Sequence, residues 1–382
     1  MTNIYKLYNQ FKHYEWGSPS LIPMFLNLEN TNNGKPYAEM WMGTHSGGVS
    51  DVMQNGGKVN LSAVSGELPI LFKLLAIEKP LSIQVHPDKK QALDGFIREE
   101  KSGVSLIAPE RNYKDCNHKP EIICALFPVT LMAGFREPSA ILGSLEKFSE
   151  MDLKFINILS PAIRALKSNS LCDFFKKLFN ISKSDMEYIS SCLIKNEYDK
   201  NETITEEQWN LMKSFSMMYK DDPALLSPLF LNLLTLQKGE AIFVPAGILH
   251  AYLSGFGIEL MTSSDNVLRC GLTPKHIDIN ELTNILVFAP FKPDVIVPEK
   301  SDCFYYKTPC DEFFLYGFNS GGEEKTFAAN GHCICIVTEG ELITGDMVFK
   351  KGESFFISKQ KNDSQLCFKG NFSLYIASVS PL

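Results

Sequence analysis

The chain has no stretch approaching the ~20 unbroken apolar residues that cross a bilayer, so no membrane partner is expected. Its opening residues, MTNIYKLYNQFKHYEW, lack the apolar core and small-residue cleavage site of a secretory signal, and a cytoplasmic location is expected. A surplus of basic charge is also missing. Lys and Arg number 37 against 44 Asp and Glu, the net charge is −7, and the cations are dispersed. A nucleic-acid partner is therefore excluded from the reading, because binding a phosphate backbone needs a concentrated basic surface. There is no C-x-x-C pair and no Gly-rich phosphate loop. The ten cysteines sit mostly in apolar runs such as IICALF and HCICIV, which fits reduced core residues better than a disulfide framework. Cys333 and Cys335 share one strand face, and two thiols alone do not make a metal site. What is present is ordinary: 45% apolar and 21% charged residues in a 382-residue chain. That is a globular composition, long enough for two or three domains at roughly 150 residues each.

To about residue 145, short apolar runs (PILFKLLAI, PLSIQVH, EIICALF, VTLMAGF) alternate with Gly, Pro, Asn and Asp, the punctuation of strands. From 146 to 222 apolar residues recur at helical spacing. SPAIRALKSNSLCDFFKKLFNISKSDMEYISSCLIK has almost no Gly and one Pro, which predicts a helix start there. ETITEEQWNLMKSFSMMY predicts a second helix with Thr205 as its cap. The KDD of 220–222 reads as a solvated turn. Strands resume at LFLNLLTLQKGEAIFVP, and FAPFKPDVIVPEK reads as a linker. KGEAIFVPAG (238–247) is echoed by KGESFFISKQ (351–360), which predicts two related β-barrels, the first interrupted by the helices. The fold expected is mainly β: a catalytic barrel in two parts (1–145 and 223–297), an inserted helical domain (146–222) and a C-terminal β domain (298–382).

Chemistry concentrates in four places. In LSIQVHPDK, Gln84 and His86 are two apart on a strand and leave the same face. In NHKPEIICAL, Glu121 opens a strand after a proline. In GEAIFVPAGILHAYL, the spacing G-x5-P-x-G-x2-H ends on His250 and resembles the second metal-binding motif of the cupin superfamily. In GIELMTSSDNVLRCGLTPK, Glu259, Asp265, Arg269 and Lys275 crowd a short polar segment. One amide oxygen, two imidazoles and one carboxylate suit a zinc ion with a position open for substrate. Singly, His86 or Glu121 is as well explained by turn or strand-flank packing, since isolated motif matches mislead. Lys73 stands in the apolar run FKLL, where a charge is hard to explain without a partner. His13, His45, His276 and His332 read as surface or turn residues.

Longer text extends the likeness. YEWGS, AEMWMGTH, LFKLLAIEKPLSIQVHPDK, PERNYKDCNHKPE and GIELMTSSDNVLRCGLTPKHID occur in the order found in the type I mannose-6-phosphate isomerase family, which the chain resembles from about residue 5 to 290. The resemblance implies a cupin catalytic barrel, a helical insert and a C-terminal jelly-roll. It implies one zinc ion per chain on Gln84, His86, Glu121 and His250, and interconversion of mannose 6-phosphate and fructose 6-phosphate through a cis-enediol(ate). The family's catalytic arginine falls on Arg269, and its pocket residues fall on Trp16, Lys73, Ser82, Lys119, Tyr252, Glu259, Asp265 and Lys275. For the proton-transferring base, Glu259, Asp265, Lys119 and His118 stay open. For the phosphate, Lys73, Ser82 and Lys275 are favoured, because a dianion needs several donors away from the metal. The partner is a small sugar phosphate, and the chain is expected as a monomer or weak homodimer. A non-catalytic sugar-phosphate-binding cupin is the alternative; a metal oxygenase is disfavoured by Gln84 and by the lack of a two-His-one-carboxylate triad spaced for iron. The C-terminal barrel is expected to hold no metal. Its SKQKNDSQ stretch lacks the matching histidine, and His332 is that region's only imidazole.

Overall fold

The alternating runs become antiparallel strands in a computed structural model that describes residues 4–28, 34–200, 202–299, 301–359 and 365–382. A ten-stranded sheet carries the sequence motifs. Its spine runs Ala241–Val244, Glu121–Phe135, His250–Thr262, Ile70–Ile77, Glu39–Gly43 and Gln10–Lys12, each antiparallel to the next. Ile70–Ile77 is buried along its whole length, which is why its sequence is continuously apolar rather than alternating. The short strand Ile83–Val85 bridges the end of His250–Thr262 to Leu268–Gly271.

Helices Pro138–Ser149, Leu153–Lys167, Leu171–Phe179, Lys183–Lys195 and Glu206–Met218 fill the gap between strands Glu121–Phe135 and Leu231–Leu236. Those two strands pair with each other, so the insert leaves and re-enters the sheet at one place. Its core of Phe148, Phe155, Phe174, Phe175 and Trp209 is continuous with Leu268, Cys270 and Leu272 of the sheet's polar end. Thr205 caps as the sequence predicts: its hydroxyl accepts from Gln208 N at 3.2 Å while the Gln208 side chain accepts from Thr205 N at 2.9 Å. Pro161 does not start a helix; it lies inside Leu153–Lys167, whose start is capped by Asp152. The Asn157 carbonyl, four residues back, loses its N–H partner to the proline ring and instead accepts from the Ser160 hydroxyl at 3.1 Å.

The second sheet has nine strands: eight ordered Cys303–Tyr306, Phe314–Gly321, Asn371–Ser378, Cys333–Thr344, Ser354–Ile357, then Ile4–Tyr8, Asp51–Gln54 and Gly57–Asn60, with Met347–Lys350 paired to Cys333–Thr344 off this path. Strands from the beginning of the chain therefore complete a sheet built from its end, with Ile4 opposite Ile357 and Lys6 opposite Phe355. The KGE echo is real at the backbone. Gly239 and Gly352 take φ of 85° and 87°, which favours glycine, and Glu240 and Glu353 each accept the N–H three residues back, at 2.7 and 2.8 Å. Cys333 and Cys335 are buried in the second core, where burial pushes the Cys333 thiol up to about 12. The sheets share one apolar cluster that includes Met40, Phe72, Ile334 and Phe356. At its edge the Tyr306 hydroxyl donates to the Gly239 carbonyl at 2.9 Å.

Candidate metal centre

Three ligand types meet where the sheet's strands end. His86, Glu121 and His250 are buried, and one ligand atom from each lies within 4.8 Å of the others. Among the described residues this is the one such cluster of His, Cys, Asp and Glu. The His86 Nδ1 lies 2.7 Å from the Asn266 carbonyl and the His250 Nδ1 lies 3.0 Å from the Ile248 carbonyl. Carbonyls only accept, so both Nδ1 atoms carry the proton and both Nε2 atoms turn a lone pair inward. His86 Nε2 is 3.3 Å from Glu121 Oε2, and His250 Nε2 is 2.9 Å from Glu121 Oε1.

Burial, then the Lys119 charge, drives the His86 pKa down to about 4, so its imidazole is neutral. Burial would raise the Glu121 pKa, but the Lys119 charge beside it works the other way and the carboxyl is held well below its usual range. Lone pairs on neutral imidazoles therefore face an ionised carboxylate. Lys119 Nζ donates to Glu121 Oε2 at 2.8 Å and lies 3.3 Å from His86 Nε2, while His250 Nε2, fully buried, makes no hydrogen bond. An orphaned buried nitrogen aimed at a carboxylate is the arrangement a divalent cation would satisfy. Two imidazoles and a carboxylate suit zinc.

Gln84 stands directly opposite both His250 and Arg269 on neighbouring strands, and cross-strand partners share a face. His250, Gln84 and Arg269 thus form one row, with His86 two residues along from Gln84. Deeper in the sheet, Lys73 and Glu259 are cross-strand partners whose charges meet at 2.8 Å, both buried. The lone lysine of FKLL has its partner. Burial raises the Glu259 pKa, with Lys73 working against it; burial would lower Lys73, but Glu259 prevails and raises it. The Tyr252 hydroxyl donates to Glu121 Oε1 at 2.9 Å, and burial, then the Glu121 and Glu259 charges, raise its pKa, so it lies between the metal cluster and this pair. Trp16 packs on the cluster around Tyr252 and Leu81, and half-buried Ser82 precedes Gln84 on the same connection.

Other expected residues sit further out. The Asp265 side chain is 57% exposed and faces His45 Nε2 at 3.4 Å, beside a 290 Å³ cavity also lined by Thr44, Lys114 and Asp115. His118 is turned away onto Glu312. Arg269 has no ion-pair partner among the described residues, and burial alone lowers its pKa; the Lys275 pKa is lowered first by Arg269 itself. Two unneutralised cations thus lie close together.

Sequence reasoning passed over Asn266, Glu39 and His45. Asn266 is fully buried, and its amide donates to the carbonyls of Asp115 and Asn117 at 2.8 and 2.7 Å and accepts from Lys114 N at 2.7 Å. Its backbone carbonyl is the one that orients His86. Glu39 receives the Trp41 indole N–H, and the Trp41 ring carries Lys73 5.2 Å above its centre. The signal for Glu39 was an acid inside the apolar run AEMWM; for Asn266 there was none.

A buried pair of imidazoles and a carboxylate at the end of an antiparallel β fold defines a metal-binding protein of the cupin class. The model of the phosphomannose isomerase type I catalytic domain matches residues 4–138. The mannose-6-phosphate isomerase of Escherichia coli (strain K12) is 34% identical over 390 residues, which span 96% of this chain and 97% of that protein. The Homo sapiens enzyme is 31% identical, over 87% of this chain and 86% of its own. A zinc-bound mannose 6-phosphate isomerase structure superposes with a TM-score of 0.86 at 33% identity, and a mutant of phosphomannose isomerase from Salmonella typhimurium with 0.87 at 33%, each covering 100% of both chains. The chain belongs to the type I mannose-6-phosphate isomerase family.

Proposed function

We propose that this chain interconverts mannose 6-phosphate and fructose 6-phosphate at a single zinc site held by Gln84, His86, Glu121 and His250. The observation that carries the reading is the convergence of two inward-facing imidazole lone pairs on the Glu121 carboxylate, one tyrosine away from a buried Lys73–Glu259 pair. When bound, the zinc ion supplies Lewis acidity toward the sugar oxygens on which charge develops. Lys119 holds Glu121 ionised, and the Asn266 and Ile248 carbonyls hold the two imidazoles in the ligating tautomer.

The reaction moves a proton between C2 and C1 of the open sugar through a cis-enediol(ate). Among the candidate bases we favour Glu259. Its raised pKa brings a carboxyl nearer to working pH, and Lys73 fixes its orientation. Lys73 is thereby committed to Glu259, so the phosphate falls to Arg269 and Lys275, which have no carboxylate partner among the described residues, whereas the Lys114 ammonium is engaged by the Leu106 carbonyl. Lys119 and Tyr252 act through Glu121, while Trp16 and Ser82 wall the approach. Asp265, more exposed and shared with His45, lies at the rim. A cytoplasmic location and a monomer or weak homodimer belong to the same proposal; among the described residues no helix is long and apolar enough to cross a membrane.

Production of fructose 6-phosphate from mannose 6-phosphate, followed with and without chelator, tests the whole reading. Activity should vanish with the metal and return with zinc, at one ion per chain. A second tightly held ion would contradict the metal-free C-terminal barrel. There His332 Nδ1 already accepts the Lys359 N–H at 3.2 Å, although residues 360–364 of the SKQKNDSQ stretch lie outside the described residues.

Glu259→Gln should lower kcat by about 10²-fold or more while zinc is retained. Because Glu259 must be ionised to take the proton, wild-type kcat/KM should fall as pH drops through its raised pKa, above the ordinary carboxylate range. Zinc content measured across the same pH values separates this limb from metal loss. An unchanged acid limb in Glu259→Gln would assign the base elsewhere.

A further inference from the structure

The 220–222 turn is not merely solvated. Asp222, where the helical insert returns to the sheet, turns its carboxylate onto the segment that follows Arg269. Its Oδ2 accepts from Leu272 N at 2.7 Å and its Oδ1 accepts from Ala224 N at 2.9 Å. Leu272 is almost fully buried with φ of 53°, a left-handed conformation that a leucine adopts only when its surroundings impose it. The neighbour before it leaves no slack. A Cβ on Gly271 would come within 2.1 Å of the Ala224 Cβ and 3.0 Å of the Asp222 carboxylate, at a φ of +153°. Cys270 is fully buried in the same core. The backbone between Arg269 and Lys275 is therefore bent into a strained turn and pinned there from the insert.

We propose that Asp222 is a positioning residue: its carboxylate holds Leu272 in the turn between Arg269 and Lys275, the two cations that grip the substrate phosphate. The helical insert then serves the site rather than only decorating the barrel. This rests on the reading of Arg269 and Lys275 as the phosphate cations, and a change at Asp222 should act through them and not through the metal.

Asp222→Ser is the informative variant. Serine can still cap Ala224 N but is too short to reach Leu272 as well, so the local helix start is kept while the turn is released. Inorganic phosphate as a competitive inhibitor is the probe. Its Ki and the KM for mannose 6-phosphate should both rise about tenfold, with zinc per chain unchanged. Adding Leu272→Gly, which takes the left-handed turn without strain, should recover a good part of that loss; a role confined to folding would not be rescued in Ki. Asp222→Asn, which keeps an acceptor oxygen at one of the two positions and puts an NH2 donor at the other, should lose less than Asp222→Ser but should not match wild type. Lys275→Ala is the separate control. If Lys275→Ala raises the phosphate Ki and Asp222→Ser does not, the positioning role is wrong and the phosphate reading stands. If neither changes it, the phosphate reading fails and the positioning role with it. If Asp222→Ser does not fold, Asp222→Asn and Leu272→Gly are compared with wild type by the same Ki, and identical values in both would overturn the proposal.

Discussion

Replacing His250 with alanine is expected to remove the zinc and the activity together while leaving the fold in place. His250 is fully buried, and its Nε2 faces Glu121 at 2.9 Å without a hydrogen bond, so in the absence of a cation the contact sets one lone pair against another. Among the described residues none makes a hydrogen bond to that nitrogen, so the role left for it is to hold the ion. Loss of a group that merely orients a metal ligand costs about 10–100-fold in affinity, and loss of a ligand itself should exceed that. His86→Ala should behave alike. Metal analysis after dialysis, turnover, and circular dichroism of the metal-free protein check the three parts separately. Full turnover in a metal-free preparation would refute the metal reading. Unfolding of His250→Ala even in the metal-free state would mean that the imidazole packs rather than ligates.

Some of this was readable from residues alone, for local reasons. The G-x5-P-x-G-x2-H spacing encodes a turn, a short strand and a second turn, and local geometry of that kind survives folding: Ala241–Val244 and the strand opening at His250 are where the spacing puts them. Lys73 in its apolar run announced a buried partner, because an unpaired charge there is too costly to keep. The identity of that partner, Glu259, depends on which strands become neighbours, and that is a long-range fact. So is the insertion of Ile4–Tyr8 beside Ser354–Ile357, which no local pattern at either end records. Pro161 and the 220–222 turn misled for a related reason. Proline and a run of charges read as punctuation and solvent, yet tertiary contacts supply Pro161 with a helix begun earlier and Asp222 with two backbone donors. Asn266 gave no signal, since a polar residue in a polar segment looks the same whether it faces water or buries its amide among three carbonyls and amides.

Arg269→Ala is expected to cut turnover by about 10³-fold while zinc content and thermal stability barely change. The argument begins from what Arg269 lacks. Its guanidinium has no carboxylate partner among the described residues, it is close enough to Lys275 to lower that lysine's pKa, and it is half-buried, which lowers its own. Keeping a half-buried guanidinium beside a second cation is unfavourable for the protein alone and becomes favourable when an anion arrives. The register places Arg269 in one row with Gln84 and His250, so the same guanidinium can serve the phosphate and the charge that develops on the enediolate. It cannot be the base, because it does not lose its proton. Arg269→Lys should recover only part of the rate, since a single ammonium replaces a planar fork of donors. The test is steady-state kinetics beside zinc analysis. Loss of zinc in Arg269→Ala would make this residue a support of the Gln84 strand and would leave the enediolate without its proposed counter-charge.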